Sequence, residues 1–140
     1  MTNQKIKPSE KVLTPGELEI MRVLWKRDGA TAREVVEEIK LKRDSKYTTI
    51  QTLLTIMAKK NYVRVERDGK AHRFIPLLSK TQAQTKAIKQ LISQFFDHSS
   101  SALAQHVVDS DTLQLSELEQ LKNLIEEKTN GEINDEPMDK

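Results

Sequence analysis

A chain of 140 residues has room for one compact domain and an appendage, but not for a large enzyme. It has no cysteine and no stretch near the roughly 20 apolar residues that span a bilayer, which excludes disulfides, thiolate metal sites and membrane helices and leads us to expect a soluble cytoplasmic protein. The net charge of +2 hides an asymmetry: residues 1–80 carry 18 Lys and Arg against 10 Asp and Glu, whereas residues 81–140 carry 5 against 11, the balance expected of a nucleic-acid-binding module joined to a separate assembly module.

After a polar, lysine-rich arm, Thr14-Pro15-Gly16-Glu17 announces a first helix: Thr14 can cap, Pro15 suits the first turn and Glu17 can reach back. Leu18, Met21 and Leu24 or Trp25 follow at helical spacing, and Asp28-Gly29 ends the helix. Thr31-Ala32-Arg33-Glu34 repeats the capping pattern before a second helix with a stripe of Ala32, Val35, Val36 and Ile39. A basic linker, Lys40 to Lys46, leads to a third helix from about Thr48 to Lys60.

At about 100° per residue, Ile50, Leu53, Leu54 and Met57 share one face of this third helix, while Thr48, Gln51, Thr52, Thr55 and Lys59 share the other. That second face has no acid. An ordinary solvated face mixes Glu with Lys, whereas hydroxyls, methyls and an amide suit base edges, since Gln pairs with adenine and Thr contacts a thymine methyl or a phosphate.

The alternation Tyr62 to Arg67, then Asp68-Gly69, then Lys70 to Ile75 predicts a hairpin with Asp68-Gly69 as its turn. In that register Val63 faces Phe74, Val65 faces His72 and Arg64 faces Arg73, a like-charge pair that an anion would relieve. Arg67 and Lys70 lie at the tip.

Ser79 to Gln82 opens a further helix with Ala83, Ala87, Leu91 and Phe95, widened by Ile88, Ile92 and Phe96. His98 to Ser101 interrupts it. A short helix with Leu103 and Val107 follows, then Ser116-Glu117-Leu118-Glu119 opens a last helix with Leu118, Leu121 and Ile125. Three such helices cannot bury their stripes alone, and a symmetric partner would cover them. From Thr129 the composition predicts disorder.

The expected fold class is mainly α with a small β hairpin: an arm over 1–12, a winged helix-turn-helix over 13–78, a helical dimerisation region over 79–128 and a disordered tail over 129–140. His72, His98 and His106 form no ligand cluster in sequence, no Gly-rich phosphate loop or nucleophile elbow occurs, and neither a metal, a cofactor nor catalysis is expected.

The stretch Leu13 to Trp25, then Tyr47-Thr48-Thr49-Ile50-Gln51-Thr52-Leu53-Leu54, then Arg67-Asp68-Gly69-Lys70 resembles the penicillinase-repressor family, the BlaI/MecI-like regulators. The resemblance implies a homodimer that represses from a palindromic operator, with Thr48, Thr49, Gln51 and Thr52 at the groove. Gln51 stands where the staphylococcal repressors have arginine. The family's copper branch uses a cysteine-rich motif, absent here. Its β-lactam branch is relieved by a sensor-linked protease at an Asn-Phe bond, which aligns with Gln105-His106.

The expected function is sequence-specific repression from double-stranded operator DNA, with β-lactam-resistance or related genes as the implied targets. Thr48, Thr49, Gln51, Thr52 and Thr55 would read bases; Lys46, Tyr47, Lys59, Arg64, Arg67, Lys70 and Arg73 would hold the backbone. Leu91, Ile92, Phe95, Phe96, Leu103, Val107, Leu118, Leu121 and Ile125 would form the dimer. Two other readings stay open: a winged-helix protein-interaction module, and a regulator that senses a small molecule directly.

Overall fold

The computed structural model describes residues 12–135; the sequence's N-terminal arm, up to Lys11, lies outside the described residues. Helices α1 (Pro15–Arg27), α2 (Ala32–Lys40) and α3 (Tyr47–Lys59) are followed by strands β2 (Val63–Asp68) and β3 (Ala71–Pro76), with a two-residue strand β1 (Ala30–Thr31) between α1 and α2. Helices α4 (Lys80–Phe95), α5 (Ser100–Asp109) and α6 (Leu115–Asp135) complete the chain. No described helix is long and apolar enough to cross a membrane.

Both predicted capping boxes form. Thr14 and Thr31 each accept from the backbone N–H three residues on, and Glu17 and Glu34 return the contact to the cap's own N–H at 2.9 Å. Four N-terminal backbone donors are thus satisfied locally, which sets where α1 and α2 begin. The core is the meeting of three helical stripes: Ile20, Met21, Val23 and Leu24 of α1, Ala32, Val35, Val36 and Ile39 of α2, and Ile50, Leu54 and Met57 of α3. Tyr62, Val63, Phe74 and Leu78 close it from the hairpin side.

The sheet corrects the expected hairpin in three ways. It has three strands, ordered β1-β3-β2, because Ala30 pairs with Phe74 and Thr31 with Arg73. The register is shifted by two residues, so Val63 faces Pro76, Val65 faces Phe74, Arg64 faces Ile75 and Glu66 faces Arg73. The loop is Gly69-Lys70 rather than Asp68-Gly69, since Asp68 pairs with Ala71 and Gly69 takes φ 66° at the first central position. A shift of two keeps every side chain on its face, so alternation alone could not distinguish the registers. The like-charge pair Arg64–Arg73 does not arise, and an acid faces Arg73 instead.

Gly29 shows why the α1–β1 turn holds the wing. Its φ is 110°, and a Cβ there would lie 2.6 Å from Ile75 Cδ1 and 3.4 Å from the Phe74 carbonyl oxygen. Gly29→Ala is expected to cost about 1–3 kcal/mol of stability, mostly from the backbone conformation because the tip of Ile75 can move. Gly69→Ala should cost about 1 kcal/mol, since its φ is ordinary left-handed and the space around it is open. Urea unfolding of both variants checks this, and equal losses would show that the turn at Gly29 is not constrained.

Contacts group the chain into two compact units that divide inside α4, between Gln90 and Leu91. Ala83 packs against the winged-helix core, which carries the first turns of α4 into the first unit beyond the expected limit at residue 78. In the second unit α6 begins at Leu115, one residue before Ser116, with Glu117 accepting from the Gln114 N–H at 2.9 Å. The same helix runs on to Asp135 where composition predicted disorder from Thr129, because extending a formed helix adds one hydrogen bond per residue ordered without a new nucleus. The last five residues of the tail lie outside the described residues.

Candidate nucleic-acid interface

The apolar stripe of α3 fixes which way its other face looks. With Ile50, Leu54 and Met57 buried against α1 and α2, the side chains of Thr48, Thr49, Thr52, Thr55 and Lys59 are exposed and Gln51 is half-buried. Thr55 donates its hydroxyl to the Gln51 carbonyl at 2.9 Å, so its proton is used within the helix and its acceptor lone pairs and methyl group remain for an outside partner.

The N-terminus of α3 differs from those of α1 and α2. Its cap residue is Lys46, no side chain bonds the first turn, and no acid lies there. The first backbone N–H inside the helix to find a carbonyl is that of Ile50, bonded to Lys46 at 3.2 Å. The preceding donors, the cation of Lys46 and the positive end of the helix dipole together favour a phosphate.

Two clefts flank this helix. On one side Tyr47 and Gln51 of α3 share a cleft with Arg33 at the start of α2 and with Lys70 and His72 of the hairpin. On the other, Lys46 and Thr49 share one with Lys40 and Arg43. Tyr47, Gln51 and Lys70, separate in sequence, are therefore neighbours here, and they are joined by Arg33 and His72, which are not among the expected site residues. Arg33 had a legible signal, a cation on the exposed side of a capped first turn; His72 had none, because its position depends on the register.

The basic residues divide by what they already hold. Arg67 and Lys70 are exposed on the wing, and Lys46 and Lys59 at the two ends of α3. Arg64 pairs with Glu66 on its own strand. Arg73 is turned inward, donating to the Gly29 carbonyl at 3.1 Å with Glu34 3.8 Å away, so it braces the sheet against α2. Arg43 grips both carboxylate oxygens of Glu19, and this hydrogen bond holds the Glu19 carboxyl below its usual value. Lys60, left out of the expected site, is bonded to the buried Glu17 at 2.7 Å.

In the second unit, Leu91, Phe95 and Ile125 are exposed, and Ile92, Phe96, Leu103, Val107, Leu118 and Leu121 are half-buried. Gln105 and His106 are exposed on α5, where the His106 ring meets Phe96 edge to face at 5.7 Å.

Three packed helices with an exposed third helix, followed by a basic hairpin, define a winged helix-turn-helix. The penicillinase repressor family model matches residues 13–127, and the chain belongs to that family, whose members are DNA-binding transcriptional repressors and not enzymes. It is 28% identical over 116 residues to the methicillin resistance regulatory protein MecI of Mammaliicoccus sciuri, covering 83% of this chain and 94% of that protein. It is 36% identical over 92 residues to the transcriptional regulator BlaI of Mycobacterium tuberculosis, covering 64% of this chain and 67% of that protein. The solved DNA-binding domain of the repressor BlaI is similar at a TM-score of 0.49 and 25% identity, covering 54% of this chain and 93% of that structure.

Proposed function

We propose that this repressor acts as a homodimer on a palindromic operator, each copy setting α3 into a major groove so that occupancy obstructs transcription. The observation that carries this reading is the acid-free outer face of α3, exposed above an uncapped N-terminus and flanked by the wing. Gln51, Thr48, Thr49, Thr52 and Thr55 read base edges; Lys46, Tyr47, Lys59, Arg67 and Lys70 meet phosphates. Arg64 and Arg73 are weaker candidates for the backbone because each already has an acidic neighbour.

The dimer rests on apolar faces of α4, α5 and α6 that a single copy leaves open. Relatives named methicillin resistance regulatory protein and penicillinase repressor support β-lactam-resistance genes as the targets. Relief by a sensor-linked protease at Gln105-His106 would require α5 to open locally, since proteases bind extended chain and these residues are helical. A repressor of this kind works in the cytoplasm, where its DNA is.

The test separates base reading from phosphate holding. Binding sites are first selected from a randomised duplex library, and an inverted repeat is expected. On that site Gln51→Ala should lose discrimination at particular base pairs, by about 1–3 kcal/mol at each. Lys70→Ala should weaken binding to all sequences alike and lower the slope of log affinity against log salt by about one. Absence of enrichment at low salt would instead favour the protein-interaction reading, and equal losses across an operator panel for both variants would remove the assigned roles.

A further inference from the structure

Where α4 leaves the winged helix, its first two turns lie beside α1, and the two helices leave a cleft of about 690 Å³ between them. The cleft lies within the unit that ends at Gln90, and no residue of α3 or the wing lines it. Its walls are apolar: Leu13, Leu18 and Trp25 on one side, Ala83 and Ala87 on the other. The two alanines lie one turn apart on the same face of α4, and their small side chains leave the space open. Trp25 is held in place, since its indole N–H donates to the Leu78 carbonyl at 2.8 Å. A volume in this range, apolar walls and a fixed aromatic ring are the properties of a small-molecule site.

The rim sets the sign of the occupant. Arg22, Lys26 and Lys80 reach the cleft, and no carboxylate lines it among the described residues. The Lys26 ammonium is already bonded to Glu38 at 2.8 Å, which leaves Arg22 and Lys80 as the cations at the opening. Glu19, the acid nearest Arg22 on α1, is ion-paired with Arg43 and feels Arg22 only through its charge.

We propose that this cleft binds a small amphipathic organic anion, with a flat apolar body of one or two rings against Trp25, Leu18 and the alanines and a carboxylate or sulfonate between Arg22 and Lys80. The inference is independent of how α3 reads DNA. It assigns the chain a ligand site within its first unit.

The test uses the full-length protein with 2-naphthoate and its neutral counterpart 2-naphthalenemethanol, followed by calorimetry and by the fluorescence of Trp25, the single tryptophan. Saturable binding of one naphthoate per chain is expected, about tenfold tighter than the alcohol. Arg22→Gln and Lys80→Gln should each bring naphthoate towards the alcohol's affinity. Ala87→Phe, a change at an exposed position, should abolish binding of both while leaving thermal unfolding unchanged. No saturable binding, equal affinity for the two probes, or naphthoate binding that survives Ala87→Phe would each overturn the proposal. Binding that appears only in a monomeric Phe95→Glu variant would also overturn it, by showing that a second copy fills the cleft.

Discussion

If the protein is the proposed homodimer, Phe95→Glu is expected to convert it to a monomer at micromolar concentration and to lower its affinity for a full operator by about a hundredfold or more. Among the described residues beyond Leu78 none is fully buried, although the segment is rich in apolar side chains. Phe95 and Leu115 are each 73% exposed and Leu124 61%, well beyond the scattered apolar exposure of an ordinary monomer surface. A second copy offers the same stripes, and covering them removes apolar area from water on both sides. Once one winged helix of a dimer is bound, the other binds its half-site as an intramolecular event, which is the source of the predicted loss. Sedimentation gives the mass, and fluorescence anisotropy on whole and half operators gives the affinities. Half-operator affinity should be unchanged, since α3 is untouched. A variant that stays dimeric, or that loses affinity equally for whole and half operators, would refute the assignment of this face.

The second large effect is expected inside the first unit, from Lys60→Ala. Glu17 is 1% exposed, and both its carboxylate oxygens are used: one accepts from the Thr14 N–H at 2.9 Å, the other from the Lys60 ammonium at 2.7 Å. The pair ties the first turn of α1 to the end of α3. Removing the lysine leaves a buried carboxylate without its counter-charge, a loss of about 2–3 kcal/mol, held below the fully buried case because water reaches the lysine side. That corresponds to a melting point lower by roughly 10 °C or more for a domain of this size. Replacing both partners, Glu17→Leu with Lys60→Ala, should recover part of the loss because no unpaired charge remains. Guanidinium unfolding of the two single variants and the double closes the cycle, and additive losses would show that the two groups are not coupled.

The same contact has a pH signature. The hydrogen bond to Glu17 raises the Lys60 pKa above its ordinary 10.5, against the opposing effect of desolvation. The contribution is therefore full below the ordinary lysine value and is lost as pH rises through the raised one. Glu19 has the opposite sense: its pKa is lowered by the hydrogen bond from Arg43, so its contribution is present at neutral pH and is lost as pH falls through the lowered value.

The helices of the winged domain were legible in the sequence because their determinants are local. Thr14 with Glu17 and Thr31 with Glu34 cap the turns they adjoin, and Asp28-Gly29 ends α1 through a left-handed residue at φ 57°. The buried stripe of α2 and the outer face of α3 follow from a period of 3.6 residues, which needs no knowledge of neighbours. Candidate groove residues were readable for the same reason, since burying Ile50, Leu54 and Met57 leaves Thr48, Thr52 and Thr55 facing out. The charge balance changes sign near residue 80, whereas contacts divide the chain between Gln90 and Leu91.

Tertiary structure decided what depends on distant pairing. The hairpin register and the pairing of β3 with β1 join residues distant in sequence, and a two-residue strand next to Gly29 has no signature of its own. Arg73 holds the Gly29 carbonyl with Glu34 nearby, whereas Arg67 and Lys70 stay exposed, a difference that the sequence does not mark. In sequence Lys60 marks only the end of the third helix, and it is the fold that puts the buried Glu17 beside it. The sequence by itself determined the helices of the winged domain, their faces and the charge of each half, because capping and periodicity act within a few residues. Only the folded chain could decide which charges were already satisfied, because an ion pair such as Glu17–Lys60 forms between groups that meet only when α1 and α3 pack.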